Sequence, residues 1–105
     1  STIEHNAIKG WKRHKEMVLN LIVPIGSVRF ILYDDRKNQI NKFQEVVLSL
    51  KGDYARLTVP PMIWVGFQGL DLHPSIVLNI ASIEHSSEEI DHKELDEIKF
   101  NWRKN

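Results

Sequence analysis

The 105-residue sequence has no cysteine, which excludes disulfides, thiolate catalysis and the sulfur ligands of structural zinc sites. It also has no net charge, with fourteen basic residues against fourteen acidic ones. General attraction to nucleic acid or to an anionic membrane surface is therefore not expected, and any charged partner must be met locally. Long apolar runs are missing as well. Asn20, Pro24 and Gly26 interrupt the most hydrophobic stretch well before the ~20 residues of a membrane-spanning helix. The N-terminal residues lack the basic start, apolar centre and small-residue cleavage site of a secretory signal, which makes the cytoplasm the expected location. No glycine-rich loop precedes a helix, so nucleotide-binding folds of the P-loop or Rossmann kind are not expected.

Eight short β-rich runs occupy Thr2 to Glu84: "TIEH", "AIKGWKRH", "MVLNLIV", "SVRFILYD", "FQEVVLSL", "ARLTVP", "IWVGFQGL" and "SIVLNIASIE". Turn chemistry separates them at Pro24-Ile25-Gly26, Asp34 to Gln39, Lys51-Gly52-Asp53, Pro60-Pro61 and His73-Pro74. Helical periodicity is absent from this region, and the spacing is that of a β-sandwich or barrel. In "SVRFILYD", Val28, Phe30 and Leu32 alternate with Arg29, Ile31 and Tyr33, so both faces are substantially apolar, as in a closed two-sheet body. From Ser86 the sequence becomes charged. "SSEEIDHKELDEIKF" opens with serines able to cap a helical turn, which predicts one short helix, and Trp102 is expected to dock this tail on the body. At this length a single domain over residues 1–105 is expected.

The ordered segments "GWKRHKEMVLNLIVPIG", "LYDDR", "VPPMIWVGFQG" and "LNIASIEHSSEEID" resemble the sugar-nucleotide 3,5-epimerase-like cupins, relatives of dTDP-4-dehydrorhamnose 3,5-epimerase. The resemblance implies an all-β cupin fold, a double-stranded β-helix or jelly-roll sandwich whose open end receives a nucleotide-linked keto sugar. It further implies a homodimer and a role in surface polysaccharide synthesis. Family members have further strands upstream of "STIEHN", so an unpaired sheet edge is expected near Thr2 to His5.

The resemblance also assigns positions within the pocket. Metal-binding cupins carry a His-x-His pair, a Glu four residues on and a later His. Here Lys12 takes the first His position, His14 the second, Val18 that of the Glu, and Val65 that of the last His. A lone imidazole does not make a three- or four-ligand site, so no metal and no other cofactor is expected. In the epimerases the catalytic base is a His, which falls at Lys12. The acid Tyr falls at Asn79 and a second pocket Tyr at His85. Asn79 has no titrating proton, which argues against double epimerisation and leaves a single proton shift with Lys12 or His14 as base and His85 as acid.

Strand alternation places Lys12, His14 and Asn20 on one face and Asn79 and His85 together on another, giving a cationic pocket if both look inward. Taken alone, Lys12 and Arg13 equally suit a solvated strand face, and His85 equally suits a strand end bonded to its turn. Trp64 is a candidate sugar platform or a core residue. Arg13, Lys15, Arg29, Arg36 and Arg56 are all available to a phosphate, whose oxygens a guanidinium fork suits best, and sequence does not choose among them. Arg29 is a substrate-binding candidate together with Asn20, Trp64 and Asn79. His5, His73 and His92 are assigned to the surface.

Overall fold

The computed structural model describes residues 1–36, 43–50, 52, 55–80 and 89–103. The described residues form nine strands: β1 (Thr2–Ile3), β2 (Ile8–His14), β3 (Leu19–Ile25), β4 (Ser27–Tyr33), β5 (Phe43–Ser49), β6 (Leu57–Val59), β7 (Trp64–Gly69), β8 (Ser75–Asn79) and β9 (Ile90–Lys93). They form two antiparallel sheets, one in the order β1-β8-β3-β6 and the other in the order β5-β4-β7-β2-β9. Each of the eight β-rich runs contains one of the first eight strands, except that β3 continues through Pro24 and Ile25, so the expected break there narrows to Gly26.

Alternation determines what lies between the sheets. Leu19, Leu21 and Val23 of β3 and Val77 of β8 face Val28, Phe30 and Leu32 of β4 and Val65 of β7 in one core. Burying apolar surface of this kind contributes roughly 25 cal/mol per Å². The other face of β4 is apolar for a different reason than closure of two sheets. Ile31 packs with Trp11 and Trp64 on the outside of the five-stranded sheet, where Ile98 and Trp102 of the C-terminal stretch cover them.

Residues 86–88 of that stretch lie outside the described residues, and in the remainder the expected short helix is reduced to 3-10 turn beside a strand. Residues Ile90–Lys93 add β9 to the sheet edge, and the helical conformation among the described residues is 3-10, at Glu89 and over Leu95–Glu97. The side-chain spacing explains this, since Ile98, Phe100 and Trp102 alternate with a period of two and an extended chain lays them on the sheet as one row.

Two glycines are fixed by close approach. At Gly26 φ is +90°, and a Cβ would collide with the Ser75 side chain. At Gly69 a Cβ would collide with the Glu4 carbonyl oxygen, where the N-terminal strand crosses β7. Gly69→Ala is therefore expected to destabilise the fold by the upper part of roughly 1–3 kcal/mol, read as a lower urea midpoint at unchanged slope.

Candidate functional site

The open end of the sandwich holds a cavity of about 310 Å³ between the sheets. Its floor is apolar, built from Leu19, Leu21, Phe30, Val65, Phe67 and Val77. Its polar lining comes from Lys9, Lys12, His14 and Asn79, together with Ser1, and no carboxylate lines it among the described residues. Lys12 and His14 stand two apart on β2, and Lys12 lies directly opposite Val65 of β7, so both turn toward the core side. Asn79 pairs with Leu21 and shares its inward face; its side-chain oxygen accepts the Asn20 backbone N–H at 3.1 Å.

Lys9 was not among the expected pocket residues. Strict alternation puts Lys9 and Lys12 on opposite faces, but the β2–β7 register shifts between them, so Lys9 lies opposite Phe67 and Lys12 opposite Val65. One extra residue in the strand brings both lysines to the same face. The Lys9 ammonium donates to the Ser1 hydroxyl at 2.9 Å and lies 5.8 Å from the centre of the Phe67 ring.

Glu89, 75 residues from His14 in sequence, braces the His14 ring. One carboxylate oxygen lies 2.8 Å from His14 Nδ1. The other accepts the backbone N–H groups of Glu16 and Met17 at 2.8 and 2.7 Å. Desolvation by itself would raise the Glu89 pKa, but the Met17 and Glu16 amides and the His14 ring together outweigh it and hold the group at about 2, against an ordinary 4.5. A carboxyl group whose folded pKa is depressed adds stability above its unfolded value. That stability is lost as pH falls from about 4.5 through about 2. Glu89→Gln is expected to flatten this loss, as measured by urea unfolding across that window.

Three expected site residues lie elsewhere. Asn20 is on the outer face of the four-stranded sheet, where it donates to the Ile80 carbonyl at 3.2 Å and accepts from the Thr58 hydroxyl at 2.9 Å. The alternation argument fails there because the chain leaves β2 at His14 and enters the other sheet at Leu19. Arg29 is buried on the outer face of the five-stranded sheet. Its guanidinium donates to Glu45 at 3.0 Å, Gln68 at 3.2 Å and the Trp102 carbonyl at 3.0 Å, so it serves the tail rather than a phosphate in the cup. Trp64 is also on that outer face, with its indole N–H donating to Asp35 at 3.0 Å and Arg13 stacked 4.6 Å from its ring. The Arg13 and Lys15 side chains are engaged with Asp91, whose pKa falls below the carboxylate range chiefly through the Arg13 hydrogen bond. His85 lies outside the described residues.

The donor set of the cup does not suit a metal. His14 is the one imidazole lining it among the described residues, and its Nδ1 is engaged by Glu89. No group of three His, Asp or Glu side chains converges among the described residues. No helix among them is long and apolar enough to cross a membrane.

Two antiparallel sheets closed over one core, with polar groups gathered at the open end of the space between them, define a cupin jelly roll. The fold is shared with the cupin domain of Drosophila melanogaster CENP-C, at TM-score 0.65 and 16% identity over 77% of this chain and 56% of that one. A dTDP sugar isomerase from Desulfovibrio desulfuricans G20 matches at TM-score 0.91 and 31% identity, covering 97% of this chain and 68% of that one. The dTDP-4-dehydrorhamnose 3,5-epimerase from Elizabethkingia anophelis NUHP1 matches at TM-score 0.81 and 16% identity over the whole chain and 60% of that protein, a likeness of fold. The chain belongs to the dTDP-4-dehydrorhamnose 3,5-epimerase-like family of sugar-nucleotide epimerase and isomerase cupins. It spans about two thirds of the isomerase and less of the epimerase. No family model and no curated protein matches the sequence.

Proposed function

We propose that the cup receives a nucleotide-linked keto sugar, as the dTDP sugar of the Desulfovibrio isomerase's name suggests, and shifts a proton from the carbon next to its carbonyl to the carbonyl carbon itself. The observation that carries this reading is the convergence of Lys12 and a Glu89-braced His14 on an apolar-floored cavity without a carboxylate lining among the described residues. With Nδ1 held by Glu89, His14 Nε2 is the ring atom left to take a proton from the carbon next to the carbonyl. The bonding electrons pass to the carbonyl oxygen, and the Lys12 ammonium stabilises the enediolate. The imidazolium returns the proton to the former carbonyl carbon, while the hydroxyl proton moves to the other oxygen. The carbonyl is thereby relocated with no change in oxidation state overall. A homodimer working in the cytoplasm on sugars destined for surface polysaccharide completes the proposal.

A second reading is favoured by Asn79, which stands where the family acid would be and offers only an amide. On that reading the protein binds the sugar nucleotide, or assembles around it, without turning it over. A melting-temperature screen across a panel of nucleotide sugars tests both against a purely structural role. Either reading predicts stabilisation of about 2.7 kcal/mol at a hundredfold excess over Kd, whereas no shift with any ligand would overturn them. Product formation separates the two.

A further inference from the structure

A second recess, of about 430 Å³, runs along the β9 edge and shares Lys12 and Gly10 with the cup. The sheet register accounts for the junction. His92 of β9 lies directly opposite Lys12, which lies opposite Val65 on its other side. Directly opposed residues share a face, and Val65 is packed between the sheets, so His92 stands on the cup side of the five-stranded sheet. The Lys12 and His92 side chains make no hydrogen bond or ion pair among the described residues, unlike those of Arg13 and Lys15 beside them, which are engaged with Asp91. Gly10, in the irregular part of β2, leaves the passage between the two spaces without a side chain. A Cβ built there would reach toward the groove, 3.5 Å from the Lys93 carbonyl oxygen.

The cup itself is at the lower end of the roughly 300–1,000 Å³ of small-molecule sites. It houses a sugar ring but not also the diphosphate and nucleoside, which must leave through its mouth. We propose that the groove is the phosphoryl subsite of the cup, with His92 and Lys12 gripping the phosphate next to the sugar. This rests on the nucleotide-sugar reading above and extends it to a residue that sequence assigned to the surface. An opposed pair on an antiparallel ladder has Cβ atoms about 5 Å apart, which lets one phosphate accept from both side chains. The ammonium's three donors serve a sugar oxygen on the cup side and a phosphoryl oxygen on the groove side. Glu94 and Glu97 line the far part of the groove, and the Glu97 carboxylate accepts the Glu94 backbone N–H at 2.6 Å. Their charge confines the anion to the His92 end and leaves the far end for the hydroxyls of the nucleoside.

Calorimetric titration with dTDP and with thymidine, on wild type, His92→Ala and His92→Arg, tests the subsite. His92 is exposed on an edge strand, so these variants retain the fold. The expected result is about tenfold weaker dTDP binding in His92→Ala, recovery in His92→Arg and unchanged thymidine binding. Unchanged dTDP affinity in His92→Ala, or an equal loss for thymidine, would overturn the subsite while leaving the cup's function standing. Failure of the wild type to bind dTDP would overturn both.

Discussion

Replacing Lys12 by alanine is expected to slow deuterium wash-in beside the carbonyl of a dTDP-linked keto sugar by at least about 100-fold, with stability changed by no more than ~0.5 kcal/mol. The two parts of this expectation have separate origins. The Lys12 side chain is exposed and makes no hydrogen bond or ion pair among the described residues, so its removal breaks nothing that holds the sheets together. It nevertheless stands in the cup beside His14, where a cation has most effect on an oxygen gaining charge during proton abstraction. NMR of the sugar in deuterated buffer reads the first quantity and urea unfolding the second. Wash-in at the wild-type rate would show that His14 acts without Lys12.

Trp102→Ala is expected to cost about 3–5 kcal/mol, a large share of the ~5–15 kcal/mol that holds a domain of this size together. Trp102 is only 7% exposed, and its ring centre lies 5.6 Å from that of Trp11 and 5.0 Å from that of Phe100. It sits so close over β7 that a Cβ at Gly66 would be 3.1 Å from its ring. Its backbone carbonyl also accepts from the buried Arg29 guanidinium. Removing the ring opens a cavity above Trp11 and Gly66 and admits water to that hydrogen bond. Trp102→Phe is expected to lose much less, because the indole N–H is buried without a hydrogen-bond partner among the described residues and its deletion removes a desolvation cost. Urea midpoints of both variants check the ranking, and a loss below about 1 kcal/mol for alanine would mean that the tail adds little to the fold.

The strands were legible because a half-buried sheet imposes a period of two, and Pro and Gly punctuate the runs. That regularity, with the family register, also placed Lys12, His14 and Asn79 at the cup. It failed where the backbone departs from strict alternation or passes from one sheet to the other. The irregularity between Lys9 and Lys12 turns Lys9 inward, and the crossing between His14 and Leu19 turns Asn20 outward. Arg29 and Trp64 misled because β4 and β7 are apolar on both faces, and sequence does not say that a distant row, Ile98, Phe100 and Trp102, covers the outer one. A signal for that row existed in its two-residue spacing, but the serines that open the stretch suggested a helix cap. Glu89 carried no local signal, since its partners are the His14 ring and two amides that only the folded chain brings together.

The space that the ligand enters decides what this protein does. Titration of isotopically labelled protein with a dTDP-linked sugar, followed through imidazole and backbone nitrogen resonances, is the most direct measurement. The predicted result is that His14, Lys12 and Asn79 shift together while the Arg29 and Trp64 side-chain signals on the outer face stay in place. Movement of Arg29 and Trp64 with His14 unchanged would contradict it.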